Sequence, residues 1–347
     1  MAYLRNAWYV AGFEDDVSPA APILARRLLD EPVVFFRDRD GVLQCLHDRC
    51  PHRFVPLSKG RVLENGTIQC GYHGLCFDGD GKCSSNPHGN GAIPQAAKVR
   101  QYRVIEKDGL IWWWAGDATT ADESLIPDFS FLQAGFKEST VRGYLPTACS
   151  YDYIVDNIMD LTHADFVHEG QLGSGAMTKV RPTVDDLNGR SVQISWWSSG
   201  ELAPVFFDMQ LREQQKPTDQ WIEVTWTAPS VMKLRVGATL VGEARNEGAE
   251  SEVLHVATPE TSERSHYWYW GTSQTNKYSE AMLEKTAKLA RFAFEHQDKP
   301  MLEAQQEAIG SVDIMSLKPV LLPGDAGAMR ARRKLTSLID EERNQNS

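Results

Sequence analysis

The sequence predicts an α+β chain of two domains: an all-β module over residues 1–118 and, over 119–347, an antiparallel sheet covered by helices. Three observations predict it. Short apolar runs broken by turn signals fill the first third. Longer strand-like runs, rich in aromatic residues, return between about 175 and 275. Apolar residues at helical spacing occupy the stretch from Ile154 to Leu161, then 279–310, then a last segment at about 327–342. A length of 347 residues suits about two domains.

Taken in order, Val33-Val34-Phe35-Phe36 is a strand and Asp38-Arg39-Asp40-Gly41 the turn after it. Gly60 and Gly66 punctuate the next stretch, and Asp78-Gly79-Asp80-Gly81 marks another tight turn. Ile111-Trp112-Trp113-Trp114 closes the module as an aromatic strand. Residues 116–122 form a linker with a helix start. A strand over 142–151 leads into the helix that follows. The runs 191–197, 221–226, 253–257 and 266–270 alternate as strands of one sheet with an aromatic-rich face. Residues 279–310 are helical with a break near Lys299-Pro300. The last helix carries Arg330, Arg332, Arg333 and Lys334, which reads as a solvated face.

Composition narrows the function. Hydrophobic residues make up 42% and charged residues 24%, as in ordinary globular proteins. A net charge of −11 disfavours nucleic acid or an anionic membrane as partner. No apolar run reaches membrane-spanning length, and Arg5 and Asn6 interrupt the N-terminus where a signal peptide needs an apolar core. The expectation is a cytoplasmic protein. Five of the six cysteines fall within residues 45–83, and in the cytosol such clustering favours metal or redox chemistry over disulfides.

Cys50-Pro51-His52 is followed, after seventeen residues, by Cys70-Gly71-Tyr72-His73. Each half offers one thiolate and one imidazole on a tight turn. Two chemistries fit: tetrahedral zinc, or a Rieske [2Fe–2S] cluster with two cysteines on one iron and two histidines on the other. The mixed halves suit the cluster better, because zinc fingers usually pair like with like. Cys45, Cys76, Cys83 and Cys149 stand outside the pattern and read as buried thiols.

A second stretch holds His163 and His168, with four residues between them, among Asp156, Asn157, Asp160 and Asp165. Taken alone, it could be a core helix whose carboxylates cap or pair locally. Burying so many polar groups is costly unless something binds them.

Cys50-Pro51-His52-Arg53 with Pro56-Leu57, and Cys70-Gly71-Tyr72-His73-Gly74, resemble the Rieske domain of the Rieske non-haem iron oxygenases. Asn157-to-His163 with His168 is similar to that family's second metal motif. The resemblance spans essentially the whole chain. It is strongest to the branch that demethylates methoxy-aromatic acids, the vanillate and dicamba O-demethylases. It implies a helix-grip-type catalytic domain holding mononuclear Fe(II) through His163, His168 and Asp298, with Glu295 as the competing third ligand and His296 at the surface. Spacing beyond one helical turn implies a distortion between the two histidines. The resemblance also implies a homotrimer, in which Asp160 bridges His163 and His73 of a neighbouring chain. Within one chain the family's two metals lie too far apart for fast transfer. Asn157, beside the metal helix, is a candidate catalytic and substrate-binding residue. His255 is a candidate substrate ligand on a strand face shared with Val253 and Ala257.

The implied activity is O2-dependent monooxygenation: O-demethylation or hydroxylation of a small aromatic substrate, by the terminal oxygenase component of a multicomponent system. The chain carries no NAD(P)H or flavin motif. Electrons therefore come from a separate NAD(P)H-dependent reductase, with or without a ferredoxin. The alternatives are ring or alkyl hydroxylation without demethylation, and a Rieske electron carrier with a degenerate C-terminal half.

Overall fold

A computed structural model describes residues 3–345. The chain divides into two compact units. One comprises residues 5–126, the other residues 127–345 with Tyr3 and Leu4. The boundary falls after Ile126 rather than after residue 118. The intervening residues pack on the first unit: Trp8 Nε1 donates to the Asp122 carbonyl at 2.8 Å, and Arg103 pairs with Glu123 at 3.1 Å. Two 3-10 turns, Ala118–Thr120 and Glu123–Leu125, replace the expected helix start.

The first unit is all β, built from three small antiparallel sheets. Trp8–Phe13, Leu110–Trp114 and Val104–Lys107 form one, and Ile23–Leu28, Glu31–Arg37 and Leu43–His47 a second. The third joins Arg61–Val62, Ile68–Gln69, Cys76–Phe77 and Cys83–Ser85. The predicted turns are present: Asp38 Oδ1 accepts from the Asp40 and Val42 amides, and Gly41 and Gly81 have positive φ. Trp112, Trp113 and Trp114 are fully buried, each removing about 150–250 Å² from water. Val34, Phe36, Leu46, Leu57, Ile68 and Phe77 pack around Cys50 and Cys70.

The second unit holds a seven-stranded antiparallel sheet. Its order is Val141–Thr147, Arg264–Ser273, Ala249–Thr261, Val231–Leu240, Pro217–Thr227, Ser191–Leu202, Thr183–Asn188. The lead-in strand stops at Thr147, short of the expected 151, and the helix Tyr151–Met159 starts after Ser150. That helix buries Ile154, Val155, Ile158 and Met159 against the sheet. The helical stretch 280–309 is continuous, with no break at Pro300. Between Glu280–Arg291 and Lys299–Ile309 it widens into a π-helix over Phe292–Asp298. Proline lacks an N–H and would crowd the carbonyl four residues back, and the wider turn before it relieves both.

The C-terminal helix, Ala326–Gln345, does not present all its basic residues to solvent. Arg332 turns inward and grips Asp156 with three hydrogen bonds of 2.6–3.1 Å, and meets Asp152 at 3.3 Å. Lone basic residues in a helical stretch read as solvated, and only the tertiary partner corrects that reading. Burial pushes the Asp156 carboxyl up to about 6 even against the Arg332 charge, and Asp152 is raised for the same reason. A folded value above the unfolded one favours the protonated fold, so this contribution is lost as pH rises through about 6. Arg332→Met removes the opposing charge and leaves two buried carboxyls unpaired. It is expected to cost about 3–5 kcal/mol at pH 8 and much less at pH 5. Urea denaturation at the two pH values measures it, and an equal loss at both would contradict the assignment.

Candidate active site

The helix Tyr151–Met159 ends within the second motif, four residues before His163. Asp160 leaves helical geometry (φ −126°, ψ 87°) and caps the next 3-10 turn, Leu161–His163, its Oδ1 accepting from the Thr162 amide and hydroxyl. A short helix, Ala164–Val167, then delivers His168 at its C-terminus. The distortion therefore lies before His163 rather than between the histidines. It also changes the part played by Asp160. His163 Nδ1 donates to the Asp160 backbone carbonyl at 2.7 Å, not to the carboxylate. The implied contact between that carboxylate and His163 is not formed, because the helix has ended.

The π stretch sets the third group. It carries Asp298 inward, with Oδ1 3.3 Å from His163 Nε2 and Oδ2 3.2 Å from His168 Nε2. Among the described residues, these three are the group whose potential ligand atoms all lie within 4.8 Å of one another. His168 and Asp298 are 3% and 4% exposed. Glu295 is half-buried outside the cluster, and His296 is exposed, as expected. Burial would raise the Asp298 carboxyl, but the two imidazoles outweigh it and hold it at about 2. Burial would likewise lower His163, and Asp298 reverses the shift.

Both imidazoles offer the same nitrogen. With Nδ1 of His163 donating to a carbonyl, its Nε2 keeps a lone pair. His168 Nδ1 meets Gln297 Oε1 at 2.9 Å, and Gln297 Nε2 donates to the Val167 carbonyl at 2.6 Å. That second bond orients the amide, so Oε1 accepts and His168 Nε2 is also free to ligate. Sequence reasoning missed Gln297, whose one signal was its place beside Asp298. A buried 2-His-1-carboxylate set open on one side suits non-haem Fe(II).

The N-terminal motif is held by two loops of the same design. Cys50 N donates to the Val55 carbonyl (2.9 Å) and Cys70 N to that of Leu75 (2.8 Å), while Phe54 N and Gly74 N return to the two cysteine carbonyls at 2.9 and 3.0 Å. Phe54 (φ +61°) and Gly74 (φ +75°) occupy matching left-handed positions. The thiols are buried side by side, and the rings of His52 and His73 lie 4.5 Å apart. Burial, aided by Cys70, pushes the Cys50 thiol up to about 11, so two thiolates here demand a cationic partner. His73 Nδ1 is buried with no hydrogen-bond partner. The four groups do not close on one ion, unlike the triad, and segregate into a sulfur pair and a nitrogen pair. That arrangement fits a two-iron cluster and not tetrahedral zinc.

Residues 7–103 match the Rieske [2Fe-2S] domain model, and residues 147–341 match that of the vanillate O-demethylase oxygenase C-terminal domain. The chain belongs to the Rieske non-haem iron oxygenases. It is 36% identical to the dicamba O-demethylase oxygenase component of Stenotrophomonas maltophilia, over 97% of this chain and 98% of that one. It is 32% identical to the chloroacetanilide N-alkylformylase oxygenase component of Rhizorhabdus wittichii, over 98% and 97%. The crystal structure of dicamba monooxygenase bound to 3,6-dichlorosalicylic acid superposes with a TM-score of 0.91 at 35% identity, covering 99% of both chains. This oxygenase carries a Rieske cluster and a mononuclear iron. As one component of a multicomponent system, it takes electrons from separate proteins. No helix among its described residues is long and apolar enough to cross a membrane.

Against the triad lies a cavity of about 160 Å³, walled by Ile158, Leu161, Leu234, Val253, Phe294 and the ring of His255, among others. His255 is 1% exposed, stacks on Tyr267, and meets its hydroxyl through Nδ1 at 2.8 Å. Its Nε2 is buried without a partner, and burial lowers its pKa to about 3, so it stays neutral. Asn157 does not line the cavity. Its Nδ2 lies 3.5 Å from His163 Nε2, because one helical step rotates it away from the face that carries Ile158. Its side chain therefore lies beside the triad rather than in the cavity wall.

Gln297→Leu keeps the bulk but removes the acceptor for His168. The expected result is roughly 10–100-fold weaker retention of mononuclear iron with an unchanged Rieske EPR signal. Iron retained per chain after graded chelation reads it out, and wild-type retention would refute the role.

Proposed function

We propose that this oxygenase dealkylates a small aromatic substrate, removing a methyl group from oxygen as the dicamba and vanillate relatives do. The observation that carries this reading is the apolar cavity bounded at one end by the intact triad. Convergence of His163, His168 and Asp298 also argues against an electron carrier with a degenerate C-terminal half.

We assign Cys50, His52, Cys70 and His73 to the Rieske cluster and His163, His168 and Asp298 to Fe(II). Held there, the cluster would supply electrons and the iron the O2 chemistry for a net reaction that puts one oxygen atom into a methyl C–H bond and, with two electrons and two protons, leaves the other as water. A hydroxylated methoxy carbon is a hemiacetal, which separates into formaldehyde and a phenol. The protein's own part is positional. Gln297 and the Asp160 carbonyl fix both imidazoles with Nε2 toward the open side. Ile158, Leu161 and Phe294 keep water from the reacting carbon. His255 Nε2 offers a single polar contact to the substrate. With a surrogate NAD(P)H-dependent reductase, a screen of methoxyarenes is expected to release formaldehyde in step with NAD(P)H consumption. Hydroxylation without formaldehyde across the whole screen would move the reading to ring or alkyl hydroxylation.

The working assembly is a cytoplasmic homotrimer in which electrons cross from His73 of one chain to Asp160 of the next. Support comes from the Asp160 carboxylate: Thr162 occupies only Oδ1, leaving Oδ2 for an incoming imidazole. Gly324 packs so closely there that a Cβ would lie 2.5 Å from the carboxylate oxygens, which holds the group in place. Asp160→Asn keeps size and removes charge. Oxidation of the reduced cluster by O2 with substrate bound is expected to slow at least about 10–100-fold at full iron content. A wild-type single-turnover rate, or a wild-type monomer that turns over, would refute this route.

A further inference from the structure

The two loops that carry the cluster residues differ at one point. In the first, the left-handed position is filled by Phe54, whose ring lies under the Arg49 guanidinium at 4.2 Å. A side chain pinned in this way keeps its own backbone from turning over. In the second loop the same position is Gly74, which takes either sign of φ with equal ease. Each tip peptide is held at its N–H by a cysteine carbonyl, Phe54 N by Cys50 and Gly74 N by Cys70. The C=O of the second, that of His73, has no partner within its own loop.

Its partner comes from a third loop. A Cβ on Gly74 would crowd Pro87 Cγ at 3.1 Å, so this loop rests directly on the tip. The next residue, His88, donates from Nε2 to the His73 carbonyl at 2.8 Å, and the centroids of the two rings are 6.0 Å apart. A carbonyl can only accept, so Nε2 carries a proton in the neutral and the charged ring alike. The bond is therefore indifferent to the titration of His88. Among the described residues no side chain meets the His52 carbonyl in this way.

The third loop is built to hold that ring. Asn86 Oδ1 accepts from the His88 amide at 3.1 Å and Asn86 Nδ2 donates to the Ala92 carbonyl at 2.7 Å, so one side chain ties both ends of 86–92. Gly91 N donates to the His88 carbonyl at 2.9 Å, and Asn90 Oδ1 accepts from the Ala92 amide at 3.1 Å. Asn86, His88 and Pro94 border the same cavity, of about 400 Å³, as His52 and His73.

We infer that His88 is a positioning residue for electron transfer: by holding the His73 carbonyl it fixes the backbone from which the His73 imidazole projects, and with it the potential of the cluster. The inference rests on the cluster assignment above and extends it to a residue outside the four ligands. His73 Nδ1, buried and unpartnered, is the atom left for the iron. With the carbonyl fixed, ψ of His73 is fixed, and the side chain leaves the loop in one direction only. The positive end of the His88 N–H also lies at the tip, which favours the extra electron of the reduced cluster.

Anaerobic redox titration and pulsed EPR of the reduced holoenzyme test this in two variants. His88→Phe keeps a ring and removes the donor, whereas His88→Gln keeps a donor. Both are expected to retain the wild-type content of iron and acid-labile sulfide. In His88→Phe the ratio of reduced to oxidised cluster at the wild-type midpoint potential is expected to fall roughly threefold to tenfold. One of the two histidine nitrogen couplings should broaden while the other keeps its width. His88→Gln should recover most of both effects. Wild-type potential and couplings in His88→Phe overturn the inference. So does a His88→Gln cluster displaced as far as that of His88→Phe, which would make ring shape rather than the donor the cause. Loss of the cluster from both variants overturns it as well, since His88 would then serve retention alone, whereas loss from His88→Phe with retention in His88→Gln supports the donor. Wild-type protein without a Rieske EPR signal would refute the cluster assignment itself and the inference with it, so a normal wild-type signal separates the two failures.

Discussion

The catalytic unit depends on bringing two imidazoles and a carboxylate to one buried point while giving Nδ1 of each imidazole a partner of its own. Neither helix that supplies these groups stays regular. The first gives up its α geometry at Asp160, and the backbone carbonyl so turned out holds His163. The second widens to π geometry over Phe292–Asp298, which aims Asp298 at the histidines and Gln297 at His168 in consecutive positions. A regular α-helix rotates neighbours by about 100°. Two adjacent side chains serving one metal site is thus a product of the irregularity, and irregular helix turns recur at functional sites for this reason.

Irregular segments need anchoring, and the surroundings provide it. The Asp152–Asp156–Arg332 cluster ties the metal helix to the C-terminal helix just before the break. Gly324 closes over Asp160 just after it. The clamp is polar and buried, hence costly in isolation, but it is directional where apolar packing would let the helix slide. Position along the helix axis matters here because His163 follows only four residues after Met159.

The candidate ligand sets stood out in the sequence because cysteine and histidine at those spacings have few other uses, and a division into two parts was suggested by the apolar periodicity. Asp298 was preferred to Glu295 only through resemblance, since both lie on one helix and the π stretch that separates them leaves no compositional mark. Pro300 was read as a break when it marks the end of that stretch. Arg332 was read as solvated because its partners lie 176 and 180 residues away in sequence, beyond any local pattern. Asp160 was expected to meet His163 through its carboxylate, and it does so through its backbone carbonyl because the helix has already stopped. In each case the missing information was tertiary, a partner or a backbone irregularity rather than a residue type.

The character of the cavity follows from register. The ladders that face it, from Ile222 across to Val141, run without a bulge. The irregularities at Ser199/Glu201 and Pro259/Thr261 fall beyond those rows. A slip of one residue would exchange faces, bringing Lys233, Arg235 and Glu252 against the triad and turning Leu234 and Val253 away. The same parity that keeps His255 beside Tyr267 therefore keeps the ion pairs out. The lining of the cavity and the geometry of the triad are consequently set by different elements, the sheet and the two irregular helices. Changes in wall residues at alternate positions can therefore reshape the cavity without disturbing the triad.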